Sequence, residues 1–328
     1  TPAVRVTRLT VEGPGTIAPG ESADFRATAT FADGTLRDVT GESQWSSTDA
    51  TVLSHEGSNR FVARVPGEAA AHVEFKGVTH SRQVVSLPRG LVVLRGRVSD
   101  ATHPNPSIFG ARVEVTRGDT AGATTTTGFD GGFVIYGVSP DTEIRVTKDG
   151  FASFARSLRA PETNFVAVSL LQTRERPDLR GTYRLTIGGG TCEGGAAFPD
   201  ALRTRIYRAV LLQDDRSLLL DLKDTEFVTV GSYGDRMLGV LQMSDVTFDL
   251  GDFFPTWDWG GAPSYPTVVE RLADGVLMLT GRIVSDVTPT GMAGTYDGAI
   301  KLYDALPADD DHPRATCRSS AHRFVLER

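Results

Sequence analysis

The chain has 328 residues, of which 40% are hydrophobic and 23% charged, and its formal net charge is -7. This is the make-up of a folded, soluble protein of two or three domains. The charge gives no electrostatic reason to bind nucleic acid or anionic lipid, and no run of eighteen apolar residues is present to span a membrane. Thirty arginines stand against four lysines, and most of the acidity falls after residue 173. The chain opens at Thr1 without methionine or a basic-then-apolar leader. Either a signal peptide has been removed or the chain has been trimmed, and the domain types argued below favour removal and export.

Helical periodicity is nearly absent. Period-two alternation bounded by Gly, Pro, Asp and Asn recurs instead, which predicts short antiparallel strands throughout and an all-β fold. Pro88 in "SLPRG" (Ser86–Gly90) and Pro177 in "QTRERPDLRG" (Gln172–Gly181) interrupt the pattern. They divide the chain into residues 1–88, 89–173 and 174–328.

In the first part, "AVRVTRLTV", "SADFRATATF" and "NRFVARV" alternate as strands. His72 and His80 flank a hairpin turn expected at Lys76-Gly77 and are placed to meet across it, although two histidines alone make a weak zinc site. The run "IAPGESADFRATATFADGTLRDVT", followed by "QWSSTDATVLS" and "VPGEAAAHVEF", resembles a bacterial Ig-like domain of group 2. The resemblance implies a β-sandwich with Trp45 in its core, turns at Asp33-Gly34 and Gly67, and a spacer or adhesive role on a cell surface.

The second part continues with "ARVEVTR", "TEIRVTKDG" and "NFVAVSLL". Gly131 and Gly150 supply the positive φ that tight turns need, and Phe133 and Phe151 are candidates for the core between sheets. The run "LRGRVSD", "GARVEVTR" and "ATTTTGFDGGFVIYGVSPDTEIRVTKDGFASF" resembles carboxypeptidase regulatory-like, transthyretin-like sandwiches. Such modules imply no protease chemistry, and His103 is the only histidine of this part.

The third part predicts eight or nine strands in meander order, hence an up-and-down antiparallel barrel. "PDALRTRIYRAV" (Pro199–Val210) reads as a helical turn leading into a strand. "GTYRLTIGGGTC" and "CRSSAHRFVLER" resemble the opening and ending of lipocalin-like, calycin-like C-terminal domains of secreted bacterial proteins. The G-x-W signature of true lipocalins is missing, since Gly181–Tyr183 reads "GTY".

"GGGTCEGG" (Gly188–Gly195) holds Cys192, one of two cysteines. It fails as a P-loop because Gly195 and Ala196 stand where Lys and Ser/Thr are required, and as G-x-G-x-x-G because Glu193 replaces the third glycine. A nucleophilic Cys192 would need His322 as base, but His322 alternates with Phe324 and Leu326 on one strand face and no oxyanion-hole motif accompanies it. The topology points instead to a disulfide. In an even-stranded closed meander the first and last strands pair antiparallel. Cys192 follows the first strand (about 181–187) and Cys317 precedes the last (about 321–327), so the two flanks share a rim. A Cys192–Cys317 bridge would clamp the closing seam, with the glycines as slack, and implies an oxidising compartment.

"GDFFPTWDWGGAPSYP" (Gly251–Pro266) gathers Phe253, Phe254, Trp257, Trp259 and Tyr265. So many rings must be buried at the barrel end, against another domain, or on a partner, and stacking tryptophans beside Asp252 and Asp258 suit a carbohydrate or protein surface. "ADDDH" (Ala308–His312) with Asp304 lacks the register of a calcium loop.

The expectation is therefore a non-catalytic exported surface or extracellular protein, with two spacer sandwiches and a recognition barrel, and without cofactor or metal. Its partner would be a protein or a surface polysaccharide, within a larger surface assembly. A barrel carrying a small apolar or saccharide ligand, and an accessory protein of a polysaccharide-degrading system, are the alternatives.

Overall fold

Alternating side chains close into sheets in all parts of the chain. The computed structural model describes residues 5–102, 107–160, 165–195, 197–228, 234–243, 245–250, 268–305 and 313–328, and among these there is no α-helix. The chain divides into two compact units, Thr1–Gln172 and Thr173–Arg328. The fold is all-β, with small sandwich sheets in the first unit and a closed antiparallel barrel in the second.

The first sandwich uses β1 (Val6–Glu12), β2 (Thr16–Ile17), β3 (Ser22–Asp24), β4 (Arg26–Phe31), β5 (Leu36–Asp38), β6 (Gln44–Ser47), β7 (Leu53–His55), β8 (Arg60–Ala63), β9 (Gly67–Phe75) and β10 (Val78–Ser86). They form sheets ordered β1-β4-β5, β2-β10-β9-β6 and β3-β8-β7. Trp45 lies in the core, edge-on to Phe61 at 6.0 Å, with its Nε1–H donated to the Thr40 carbonyl at 3.0 Å. Gly34 makes the expected turn, but Gly67 does not: it begins β9, and a Cβ there would meet Val52 Cγ2 at 2.8 Å. It is a glycine of close packing. The two histidines do not meet either. The turn at Lys76-Gly77 pairs Val78 with Phe75, so His80 lies opposite Val73 and His72 opposite Ser81. The two side chains therefore project to opposite faces of the hairpin.

The second sandwich uses β11 (Val92–Asp100), β12 (Arg112–Arg117), β13 (Thr124–Thr126), β14 (Gly132–Val138), β15 (Thr142–Thr147), β16 (Phe154–Leu158) and β17 (Val166–Leu170). Its sheets are β14-β11-β17, in which β17 runs parallel to β11, and β13-β12-β15-β16. Gly131 and Gly150 have φ of 75° and 76°, and Phe133 and Phe151 are buried. Arg95 of β11 pairs with Glu68 of β9, tying the second sandwich to the first.

The second unit contains β18 (Gly181–Gly188), β19 (Thr204–Asp214), β20 (Ser217–Lys223), β21 (Arg236–Gln242), β22 (Asp245–Leu250), β23 (Val268–Leu272), β24 (Gly275–Thr288), β25 (Gly291–Tyr303) and β26 (Ala315–Glu327). Neighbours pair antiparallel in the order β22-β21-β20-β19-β18-β26-β25-β24, and β22 returns to β24, so eight strands close the barrel. A 3-10 turn at Asp200–Leu202 leads into β19, as the sequence suggests. β23 is an additional strand. It lies along the same edge of β24 as β22, with Leu250 opposite Gly281 and Val268 opposite Leu279. Inward alternation fills the interior with Tyr183, Leu185, Ile187, Tyr207, Phe248, Tyr296, Phe324 and a set of leucines, all buried. Eight strands leave a bore just wide enough for side chains of this size.

Candidate functional site: one end of the barrel

Of the residues singled out in the third part of the sequence, Cys192, Cys317 and His322 converge at the end of the barrel where β18, β20 and β22 finish and where β19, β21, β24 and β26 begin. Antiparallel register places them there. Gly188 pairs with Thr204 on one side and Arg323 on the other. β26 starts eight residues before that pairing, so its first half rises above β18 on the barrel rim.

Cys192 and Cys317 form a disulfide with Cα atoms 4.7 Å apart. The bridge expected from topology is present, with one difference of detail. Cys317 lies inside β26, opposite Ile300 of β25, rather than in a flank before the strand. The disulfide therefore ties the segment after β18 onto a strand already held by β25.

His322 sits beneath this bridge, fully buried. Its Nδ1 accepts the Gly190 N–H at 3.0 Å, and Nε2 lies 3.3 Å from the Cys317 carbonyl. A ring nitrogen that accepts cannot carry the proton, so the neutral imidazole holds it on Nε2 and donates it to Cys317. Burial lowers the pKa of His322 from its ordinary value, outweighing the hydrogen bond to Cys317, which acts the other way. The ring stacks on Tyr296 at 5.2 Å, and the Tyr296 hydroxyl reaches the Thr280 and Ala299 carbonyls, each at 2.8 Å. Both nitrogens of His322 thus serve the seam, and Cys192 is held in its bridge. Gly188 and Gly190 are not slack, whereas a Cβ on Gly194 or Gly195 would meet nothing within 4 Å. A Cβ on Gly188 would meet the Arg203 carbonyl oxygen at 2.1 Å, and one on Gly190 would meet His322 Nδ1 at 2.8 Å.

A second buried polar group at this end was not anticipated. Glu270 of β23 is 2% exposed. Its Oε2 accepts Arg205 Nε at 2.8 Å and the Tyr207 hydroxyl at 2.9 Å, and Arg205 Nη2 reaches Oε1. Burial raises the pKa of Tyr207 strongly, and the Glu270 charge adds to the rise, so the phenol remains a donor. On its other edge β23 is hydrogen-bonded by the segment Glu226–Val228. Val228 donates to the Val269 carbonyl and Arg271 to the Glu226 carbonyl, at 2.9 and 2.7 Å. The carboxylate, with three donors, pins β23 to β19 across the barrel end. The signal in the sequence is one acid in "VVERL", on the inward alternation of Val268 and Leu272.

Phe253, Phe254, Trp257, Trp259 and Tyr265 lie outside the described residues, as do His103 and Ala308–His312. Asp304 is described and pairs with Arg314 at 3.0 Å. Among the described residues, no group of three or more His, Cys, Asp or Glu side chains is placed to hold a metal, and no helix is long and apolar enough to cross a membrane.

No protein-family model matches the chain, and neither does any curated protein. Among solved structures it is similar to the S-layer protein rSbsC(31-844), at 12% identity and a TM-score of 0.22, over 76% of this chain and 40% of that one. The chain thus spans less than half the length of that structure.

Proposed function

We propose that this chain is a non-catalytic component of a bacterial surface or extracellular assembly. Its two sandwiches serve as spacer modules of the Ig-like and carboxypeptidase regulatory-like kinds. Its barrel carries the recognition element, the segment 251–267, which contacts a protein partner or a surface polysaccharide through Trp257, Trp259 and the neighbouring rings.

One relationship carries the reading. Along β24, the partners of Leu250 and Val268 are Gly281 and Leu279, with only Thr280 between them. A continuous wall strand needs one residue there, and the chain has seventeen. The barrel does not need this insertion to close, yet it contains two of the chain's three tryptophans. Aromatics clustered in a connection between strands favour recognition over packing. The interior, occupied by its own side chains, favours contact outside the bore. The disulfide suits an oxidising compartment.

The test is binding of the intact chain to cell-surface extracts and to purified surface polysaccharides, compared with the Trp257→Ala, Trp259→Ala double variant. Loss of binding with unchanged melting supports the reading, and unchanged binding removes the segment's role.

A further inference from the structure

Edge strands expose unpaired backbone groups, and natural sheets guard them with charge, proline, bulges or a covering segment. β17 is an edge of the sheet β14-β11-β17, and its sequence has none of the first two. From Thr163 to Thr173 there is no charged residue, proline or glycine. Its pairing with β11 runs through five residues without a shift in register.

The direction of its amides follows from two contacts. The Leu170 carbonyl accepts the Ala101 N–H at 2.8 Å, and the Val168 carbonyl lies 3.3 Å from Ser99 Oγ. Even-numbered positions therefore turn toward β11, and the two-residue period turns Ala167 and Ser169 outward. At Leu171 the outward carbonyl is taken by the Ala152 N–H at 2.8 Å, which bounds the open stretch. Among the described residues no strand lies along Ala167 and Ser169. Val166, Val168 and Leu170 are buried on the core face, while Ala167, Ser169 and the flanking Phe165 are exposed, Phe165 at 62%.

We propose that a second copy of this chain adds its own β17 to this edge, antiparallel, with the two-fold axis at Ala167. An added strand must offer apolar side chains above the sandwich core and uncharged ones on the open face. β17 meets both requirements of its own edge. Centring on Ala167 puts the smallest side chain where the two copies face each other and sets Phe165 against Ser169 twice, so large meets small. The outward amides of Phe165, Ala167 and Ser169 then pair across the axis, and two three-stranded sheets become one. A chain of net charge -7 repels its copies at long range, which an uncharged edge avoids adding to.

Sedimentation of the full chain over a concentration series is expected to show a monomer–dimer equilibrium. Ala167→Pro removes an N–H that faces away from β11, so the fold tolerates it, and it is expected to weaken dimerisation by more than about tenfold. Ser169→Lys, a surface change, is the second variant should the proline lower the melting temperature. In Ala167→Cys the new thiol is the only free one, because Cys192 and Cys317 are bridged, and mild oxidation should link two chains. A chain that stays monomeric, or a dimer that both variants leave intact, would overturn the proposal. So would exchange protection of Ala167 and Ser169 that appears only when a different protein is added.

Discussion

The backbone N–H of Gly190 donates to Nδ1 of His322 at 3.0 Å, across 132 positions of sequence. A glycine is needed at one end of this bond because the imidazole lies where a side chain would begin. A Cβ on Gly190 would stand 2.6 Å from Ser319 Oγ and 2.8 Å from the ring nitrogen. Gly190→Ala is therefore expected to destabilise the barrel by about 1–3 kcal/mol. Faster amide exchange in β18 and β26, with the first unit unaffected, is the readout.

The same bond makes the seam sensitive to acid. Burial lowers the folded-state pKa of His322 below the ordinary 6.5 that the unfolded chain keeps. Between those two values the unfolded chain binds the proton more readily, so stability rises with pH through the window. Its contribution is complete above the unfolded value and is lost as pH falls through 6.5 toward the folded one. His322→Gln should remove that part of the slope. Unfolding curves of wild type and variant, compared at about pH 8 and about pH 5, should converge at the lower value.

Reduction of Cys192–Cys317 releases a loop whose ends are 125 residues apart. In the chain-entropy model this costs about 4–5 kcal/mol, acting through the unfolded state. Cys192→Ser with Cys317→Ser should lower the barrel's melting temperature while leaving that of the sandwiches in place. Scanning calorimetry with and without reductant separates the two units.

At Glu270 the prediction turns on leaving a charge without its partner. Glu270→Ala strands the part-buried Arg205 guanidinium and the buried Tyr207 hydroxyl, and is expected to cost about 3–5 kcal/mol. Glu270→Leu combined with Arg205→Met removes both charges and should recover most of that loss. The double-variant cycle, read by urea unfolding, distinguishes a structural pin from a simple cavity.

What the sequence made legible was whatever short-range alternation and topology determine. Strands, the turns at Asp130-Gly131 and Lys76-Gly77, and the 3-10 lead into β19 are local. The Cys192–Cys317 bridge is long-range, but closing a meander of even strand number brings its flanks together in any case. The histidine pair failed on parity: across a hairpin that pairs Phe75 with Val78, His72 and His80 fall one residue out of register. Glu270, Arg205 and Tyr207 were not legible as a group, because β23 resumes the line of β22 along the same edge of β24 only after seventeen residues. Alternation cannot announce a broken strand. Gly188 and Gly190 looked like flexibility, and only the neighbouring Arg203 and His322 reveal them as points of close approach.

Under the proposed function, the seventeen residues between Leu250 and Val268 form the binding element. Deleting them and joining the two strands through a single residue opposite Thr280 tests it most directly, with melting and surface-extract binding measured on the same preparation. The expected result is a barrel that still folds, with its disulfide formed and its binding abolished. A deleted chain that binds as the wild type does would contradict it.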